Sequence, residues 1–292
     1  MAQTRDLKRR IKSVENTRQI TKTMEMVATS RLKRARDRVV AARPYAQALA
    51  DVIGDLYDPD LEERFPLLRQ QKKGPKRAAI VLITSNRGLC GAFNANLIKQ
   101  AVGRIESFEK RGVEVEMHGI GRKGIGYFRY LGRTWATARQ DIGDRPTGAH
   151  AQDVIDPLME RFANAELDSV EVVFAKFNTP LSTPPTVITI LPISPPSVGQ
   201  RDSRTTANYI LRPSAAEMLL AILPLYVRNQ MYRALVETAA SEHGARRTAM
   251  KSATDSAGDM IDSLRRTFNR ARQAQITQEI AEIVGGAEAL SG

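Results

Sequence analysis

A chain of 292 residues, 42% hydrophobic but only 5% aromatic, has room for one large or two ordinary domains built mainly on aliphatic side chains. Its single cysteine, Cys90, excludes an internal disulfide and a cysteine-based zinc site, and fits a reducing compartment. The net charge is +12, and residues 1–43 hold thirteen Lys/Arg against four acids, which suits either a nucleic-acid or anionic-membrane patch or a basic face that slides past acidic protein surfaces.

No apolar run approaches the ~20 residues that span a bilayer. Lys8, Arg9, Arg10 and Lys12 are followed by no apolar core, so the start does not read as a secretory signal. Asp6 and Glu15 argue against an organellar transit peptide, which is poor in acids. The expectation is a bacterial, cytosolic chain.

The first segment keeps a heptad register. Leu7, Val14, Thr21, Ala28, Ala35, Ala42, Leu49 and Leu56 stand seven apart, and Ile11, Leu32, Val39, Ala46 and Ile53 fill the second seam position, broken at Arg18 and Glu25. That is a coiled-coil pattern, and its run of alanines allows a closely approaching partner helix. Pro44 falls inside the register, which predicts a kink after Arg43 rather than a stop. The helix is expected to end near Tyr57–Pro59, and residues 59–77 read as a linker.

A different texture follows. Ala78–Thr84 is a continuous apolar run, as in a buried parallel strand. Arg87-Gly88-Leu89-Cys90-Gly91 turns into a helix over Ala92–Arg111, followed by a strand over Val113–Ile120 and a short helix over 121–131. A helix over Asp153–Ala163 and strands over Glu171–Phe177 and Thr186–Leu191 complete a small doubly wound α/β domain. Tyr209–Leu211 adds a short strand. Pro213 then opens a second long helix, its apolar residues recurring at Leu219, Leu223, Val227, Met231, Leu235 and Ala239, then Ala253, Ala257, Ile261, Leu264, Phe268 and Ala271. At the rise of an α-helix it would reach about 115 Å, against about 80 Å for the first. The expected fold is an α/β central domain plus a long antiparallel coiled coil formed by the N- and C-terminal helices. Its parts are residues 1–58 (first helix), 59–77 (linker), 78–208 (Rossmann-like domain) and 209–292 (second helix). The excess length falls on Ile276–Leu290.

Few motifs point to chemistry. Gly119-Ile120-Gly121-Arg122-Lys123-Gly124 has the dinucleotide-binding spacing but follows the second strand, so a tight strand–helix turn is the better reading. Arg87–Gly91 could cradle a phosphate, yet it lacks the lysine and hydroxyl of a nucleotide loop. His118, His150 and His243 have no ligand-like spacing. Glu279 and Glu282 sit one turn apart as surface charges. By contrast Ile276, Ile280, Ile283 and Val284, beside the polar Arg272, Gln273, Thr277 and Glu279, leave an apolar surface whose helical partner has ended. A receiving protein socket is the physical expectation.

At these residues the chain resembles the gamma subunits of bacterial F-type ATP synthases. The carboxyl-terminal signature is matched by Ile276, Thr277, Glu279, Glu282, Gly286, Ala287 and Ala289, and the amino-terminal one by Ile20–Ala28. Arg43-Pro44-Tyr45, Gly88–Gly91 with Asn94, and Ala240–His243 through Ala253–Asp255 also fit, in preserved order. The resemblance implies a non-catalytic rotating shaft without cofactor. It would transmit torque between a membrane c-ring and a catalytic ring of alpha and beta subunits, beside epsilon, on the cytoplasmic side of the bacterial plasma membrane. It implies that Arg272 and Gln273 form a catch with a beta loop, that Arg246, Thr277 and Glu279 support torque, and that Met24 faces the same beta region. The tip Ile276, Ile280, Ile283 and Val284 would turn in the ring's sleeve, and Tyr209, Leu211 and Arg212 would belong to the foot. Asn86 and Arg212 stand where acids are common, and Gly244, Arg247 and Ser256 replace frequent Ala, Met and Asn. The alternative is a basic coiled-coil scaffold for nucleic acid or another anionic surface, although residues 1–43 lack the aromatics that would stack on single strands.

Overall fold

A computed structural model describes residues 2–56, 65–71, 74–194 and 215–291. The expected helix end at residues 57–58, most of the linker, the short strand at 209–211 and the foot residues Tyr209, Leu211 and Arg212 lie outside the described residues. The chain forms two compact units, one of Met1–Ala28 with Arg247–Gly292 and one of Thr29–Arg246. Two long helices contribute to both: α1 (Ala2–Leu56) and α5 (Ala215–Ser291). The contact units therefore divide the chain across these helices, not at their ends.

The globular unit, Thr29–Arg246, is built on a five-stranded sheet of order β3-β2-β1-β4-β5. Its elements in chain order are β1 (Arg77–Ile83), α2 (Phe93–Glu109), β2 (Glu114–Ile120), α3 (Arg122–Tyr130), β3 (Thr137–Arg139), α4 (Gly148–Ala163), β4 (Ser169–Ala175) and β5 (Pro185–Leu191). Strand β1 is the hinge of the topology, parallel to β2 in the register Ile80↔Met117 and to β4 in the register Ile80↔Glu171. The chain winds out through β2 and β3, then crosses back through α4 to the other side of β1. Strand β5 returns antiparallel to β4.

Both sheet faces are covered, which explains the unbroken apolar run of β1. Ile80 and Leu82 pack with Phe93, Leu97, Ala101 and Ile105 of α2. Val81 and Ile83 pack with Ile155 and Phe162 of α4 and with Leu223, Val227 and Met231 of α5. A smaller cluster joins α1 to α5 through Leu32, Ala35, Val39, Val236 and Ala240. All the apolar α1 seam positions from Leu32 to Leu56 are buried or half-buried, as the heptads predict. Pro44 sits inside α1 without ending it.

Two features differ from the expectation. Strand β3 is only three residues long and pairs with β2 at one sheet edge, too short to leave a pattern. Helix α4 begins at Gly148, five residues before the expected Asp153, because Thr147 caps it: the His150 amide donates to Thr147 Oγ1 at 3.3 Å, and the Thr147 amide donates to His150 Nδ1 at 3.2 Å. Histidine here fills the place usually taken by Glu or Gln in a capping box.

The coiled-coil unit pairs the start of α1 with the end of α5. Thr254 Oγ1 donates to Thr21 Oγ1 at 2.8 Å, Arg265 bonds Glu15 at 2.7 Å, and Thr4 Oγ1 donates to Gln275 Oε1 at 3.1 Å. As numbers fall along α1 they rise along α5, so the helices run antiparallel. Ala28, Ala257 and Ile261 are buried in the seam. Thr21 is buried there too, its hydroxyl matched to that of Thr254.

Candidate partner interface

Among the described residues, Thr4 and Gln275 form the outermost hydrogen bond between the two helices. Helix α1 reaches back to Ala2 while α5 continues to Ser291, so from about Gln278 onward, roughly 20 Å of helix, α5 faces no described residue of α1. Ile276, Ile280, Ile283 and Val284 follow one another at intervals that place them on one stripe. They are 47%, 56%, 71% and 56% exposed. Nothing among the described residues covers this isoleucine series.

The polar residues of this end are partly organised within the helix. Thr277 Oγ1 donates to the Gln273 carbonyl, Gln275 Nε2 to Glu279 Oε1 and Gln278 Nε2 to Glu282 Oε1. Arg272 and Gln273 are exposed. Spacings of three and four put Arg272 on the face of Ile276 and Ile283, and Gln273 on the face of Thr277, Ile280 and Val284. One helix end thus presents charge first and apolar surface after it. Gly285 and Gly286 lie within this helical end with nothing near their missing Cβ atoms. Interior helical glycines each weaken a helix by about 1 kcal/mol, so the end has little stability of its own to draw on.

The other expected contact residues lie elsewhere. Met24 is half-buried on α1, three residues beyond the Thr21–Thr254 pair and thus about 30 Å along the unit from the 272–279 set. Arg246 belongs to the globular unit, and it is buried. It binds Glu242 Oε1 at 2.7 Å and the Gly88 carbonyl at 3.2 Å, clamping the Arg87–Gly91 turn to α5. Burial pushes the Glu242 carboxyl up against the opposing pull of Arg246. In this conformation Arg246 is a positioning residue for the turn.

The glycine motif is explained by packing. Gly121 has φ +95°, and a Cβ there would stand 2.1 Å from the Thr84 carbonyl oxygen. The amides of Gly121, Arg122, Lys123 and Gly124, which would face a pyrophosphate, already donate to Arg139 O, Asn86 Oδ1, Ser85 O and Thr84 Oγ1. The turn holds the ends of β1 and β2 together and leaves no amide for a nucleotide.

A family model described as ATP synthase matches residues 3–290. The ATP synthase gamma chain of Gemmatimonas aurantiaca is 56% identical over 292 residues, covering 100% of both chains. The chain belongs to the ATP synthase gamma chain family. Among solved structures it is similar to a chain of the Euglena gracilis mitochondrial ATP synthase (OSCP/F1/c-ring, rotational state 3), with TM-score 0.64, 18% identity, and 99% of this chain and 95% of that one covered. It is also similar to a chain of the Tetrahymena thermophila mitochondrial ATP synthase central stalk and c-ring, with TM-score 0.58, 22% identity, and 80% and 99% covered. These two likenesses carry the fold: a mixed α/β sheet domain with two packed long helices.

As a gamma chain, the protein is a non-catalytic central-stalk subunit of an F-type ATP synthase, a rotary enzyme. The nucleic-acid scaffold has no support. The complex is membrane-associated, and no helix among the described residues is long and apolar enough to cross a membrane.

Proposed function

We propose that the chain is a torque-transmitting shaft whose carboxyl-terminal end turns inside a ring of alternating alpha and beta subunits. One observation carries this: α5 runs on past Thr4–Gln275, the outermost hydrogen-bonded pair with α1 among the described residues, and exposes Ile276, Ile280, Ile283 and Val284. The apolar stripe turns in the sleeve of the ring. Arg272 and Gln273 catch a loop of a beta subunit, with Thr277 and Glu279 beside them and Met24 facing the same subunit further down. A rotating part must meet several subunits in turn. Shallow aliphatic contacts suit that better than deep interlocks, because no single orientation is strongly preferred.

The basic start of α1 fits the same role. Arg5, Lys8, Arg10, Lys12 and Lys22 are all exposed, which favours long-range attraction to acidic loops with little specificity. Arg246 supports torque indirectly, by fixing the turn at Gly88. Tyr209, Leu211 and Arg212 are assigned to a foot on the c-ring beside epsilon, on the cytoplasmic face of the bacterial plasma membrane. Ion flow through that ring drives the shaft.

The test is co-purification with the alpha and beta subunits, followed by truncation at Ala274. The truncated complex is expected to keep some ATP hydrolysis while losing torque and coupled ion transport. Unchanged coupled ATP synthesis after truncation defeats the assignment of the tip.

A further inference from the structure

We propose that an arginine-lined cavity at the carboxyl ends of β1 and β2 binds a phosphoryl dianion, either free inorganic phosphate or the terminal phosphate of a nucleotide. The cavity lies wholly within the globular unit. One chamber of about 200 Å³ runs from Ile83 and Thr84 past Ile120 to Leu235 and Thr238 of α5. A second, of about 250 Å³, shares Arg31, Arg87, Asp144 and His243 with it. At roughly 30 Å³ per liquid water either chamber has ample room for a tetrahedral oxyanion. Carboxyl strand ends are where open α/β sheets take ligands.

The charge is one-sided. Six guanidinium groups line the two chambers: Arg31, Arg34 and Arg38 from α1, Arg87 after β1, Arg145 before α4, and Arg246 on α5. Only two carboxylates, Asp144 and Glu242, oppose them. Arg31 is bound to Asp144 at 2.6 Å, Arg38 to the Asp144 carbonyl at 3.3 Å, and Arg246 to Glu242. The side chains of Arg34, Arg87 and Arg145 have no hydrogen-bonded partner among the described residues, so three cations border the space with no carboxylate bonded to them.

His243 indicates the kind of anion. It is 2% exposed and lines both chambers. Its Nε2 lies 3.7 Å from Asp144 Oδ2, while its Nδ1 is buried with no hydrogen-bond partner among the described residues. Burial, then the nearby Arg246, hold the ring neutral, with its pKa lowered to about 4. A neutral imidazole donates from one nitrogen and accepts at the other, so with Nε2–H turned to Asp144, Nδ1 is an acceptor in want of a proton. Hydrogen phosphate meets both demands, its hydroxyl donating to Nδ1 and its other oxygens accepting from the guanidinium groups. A carboxylate or sulfate brings no proton, and binds well only once His243 has itself been protonated.

Isothermal titration calorimetry of the full chain at low salt tests this, with inorganic phosphate, ADP, sulfate and a glutamate-rich peptide as probes. Saturable one-to-one phosphate binding is expected at pH 7.5, at least fivefold tighter than sulfate. It should weaken tenfold or more in the Arg34→Gln/Arg87→Gln double variant, whose altered side chains are both exposed and leave the core intact. Sulfate, whose charge is constant over this range, should bind more tightly as pH falls from 8 to 6. In His243→Gln that pH dependence and the preference for phosphate should both disappear. Tighter binding of ADP than phosphate, lost in the same variant, supports the site and identifies a nucleotide as the source. Absence of phosphate and ADP binding at millimolar concentration overturns the proposal. So does binding undiminished in the double variant, or binding of the peptide alone.

Discussion

The two units of this chain treat their surfaces in opposite ways. In the globular unit, outside the arginine-lined cavity, most polar groups near the sheet are answered from within. The Asp168 carboxylate accepts from the Lys76 and Arg77 amides and from Gln71, Arg161 holds Glu116 with two bonds, and Arg228 does the same for Asp156. In the coiled-coil unit beyond Gln275, exposed isoleucines and helical glycines have no such answer. Outside that cavity the first unit is explained by its own contacts. The second, on the proposed reading, is completed by a partner at the tip.

The sharpest test of the contrast is Gly121→Val. It puts a side chain 2.1 Å from the Thr84 carbonyl on a backbone with φ +95°, combining overpacking with backbone strain. A loss of about 4 kcal/mol is expected. Trp135, the only tryptophan, packs edge-on against Phe128 at 5.5 Å and reports the unfolding of this unit in a urea titration. Next in size is a pair of identical substitutions. Ile80→Ala, at a fully buried strand position, should cost about 3 kcal/mol. Ile283→Ala, 71% exposed, should leave the isolated chain within about 0.5 kcal/mol of its original stability. Equal losses for the two would show that the tip is packed against its own chain, and would end the contrast.

Much of this division is legible in the sequence, for identifiable reasons. Leu32, Ala35, Val39 and Ile53 mark the seam because their spacings of three, four and fourteen keep them on the two seam positions of the heptad, and burial follows that pattern. The β1 run is legible because both of its faces are covered. The tip is legible from unequal helix lengths alone. Strand β3 is not, since Thr137 and Ala138 are exposed at an edge and carry no alternation. The start of α4 is hidden by His150 acting in a capping box. The inward turn of Arg246 depends on the Gly88 carbonyl, 158 residues away in sequence, and no local pattern encodes such a meeting. The same holds for Arg34, Arg87 and Arg145, which read only as scattered charge until the fold gathers them.

The third expected effect concerns pH. The His243 pKa is lowered to about 4 from an ordinary 6.5. Between these values the unfolded chain binds more protons than the folded one, so stability falls as pH drops through this window. Over the full interval this amounts to at most about 3 kcal/mol. Carboxylates titrate in the same range, with Asp141 held at about 2 by its bond to Arg139, so the measurement is a difference. Wild type minus His243→Gln, followed by urea unfolding at pH 7, 6, 5 and 4, should isolate the histidine. A flat difference would mean that the ring is not buried neutral.

The smallest effect is opposite in sign. Gly286→Ala places a methyl group where nothing lies within 4 Å, on a helical residue that is exposed. Alanine favours the helix by about 0.8–1 kcal/mol over glycine, so the change should raise the helical content of the isolated chain slightly, read by circular dichroism at low temperature. Its effect on an assembled synthase separates two accounts of this glycine pair. If the tip requires only a stiff apolar end, coupling should hold or improve. Should coupling fall while helicity rises, the glycines are there to let the ring's wall approach the helix backbone, and the interface is closer-fitting than the exposed isoleucines alone imply.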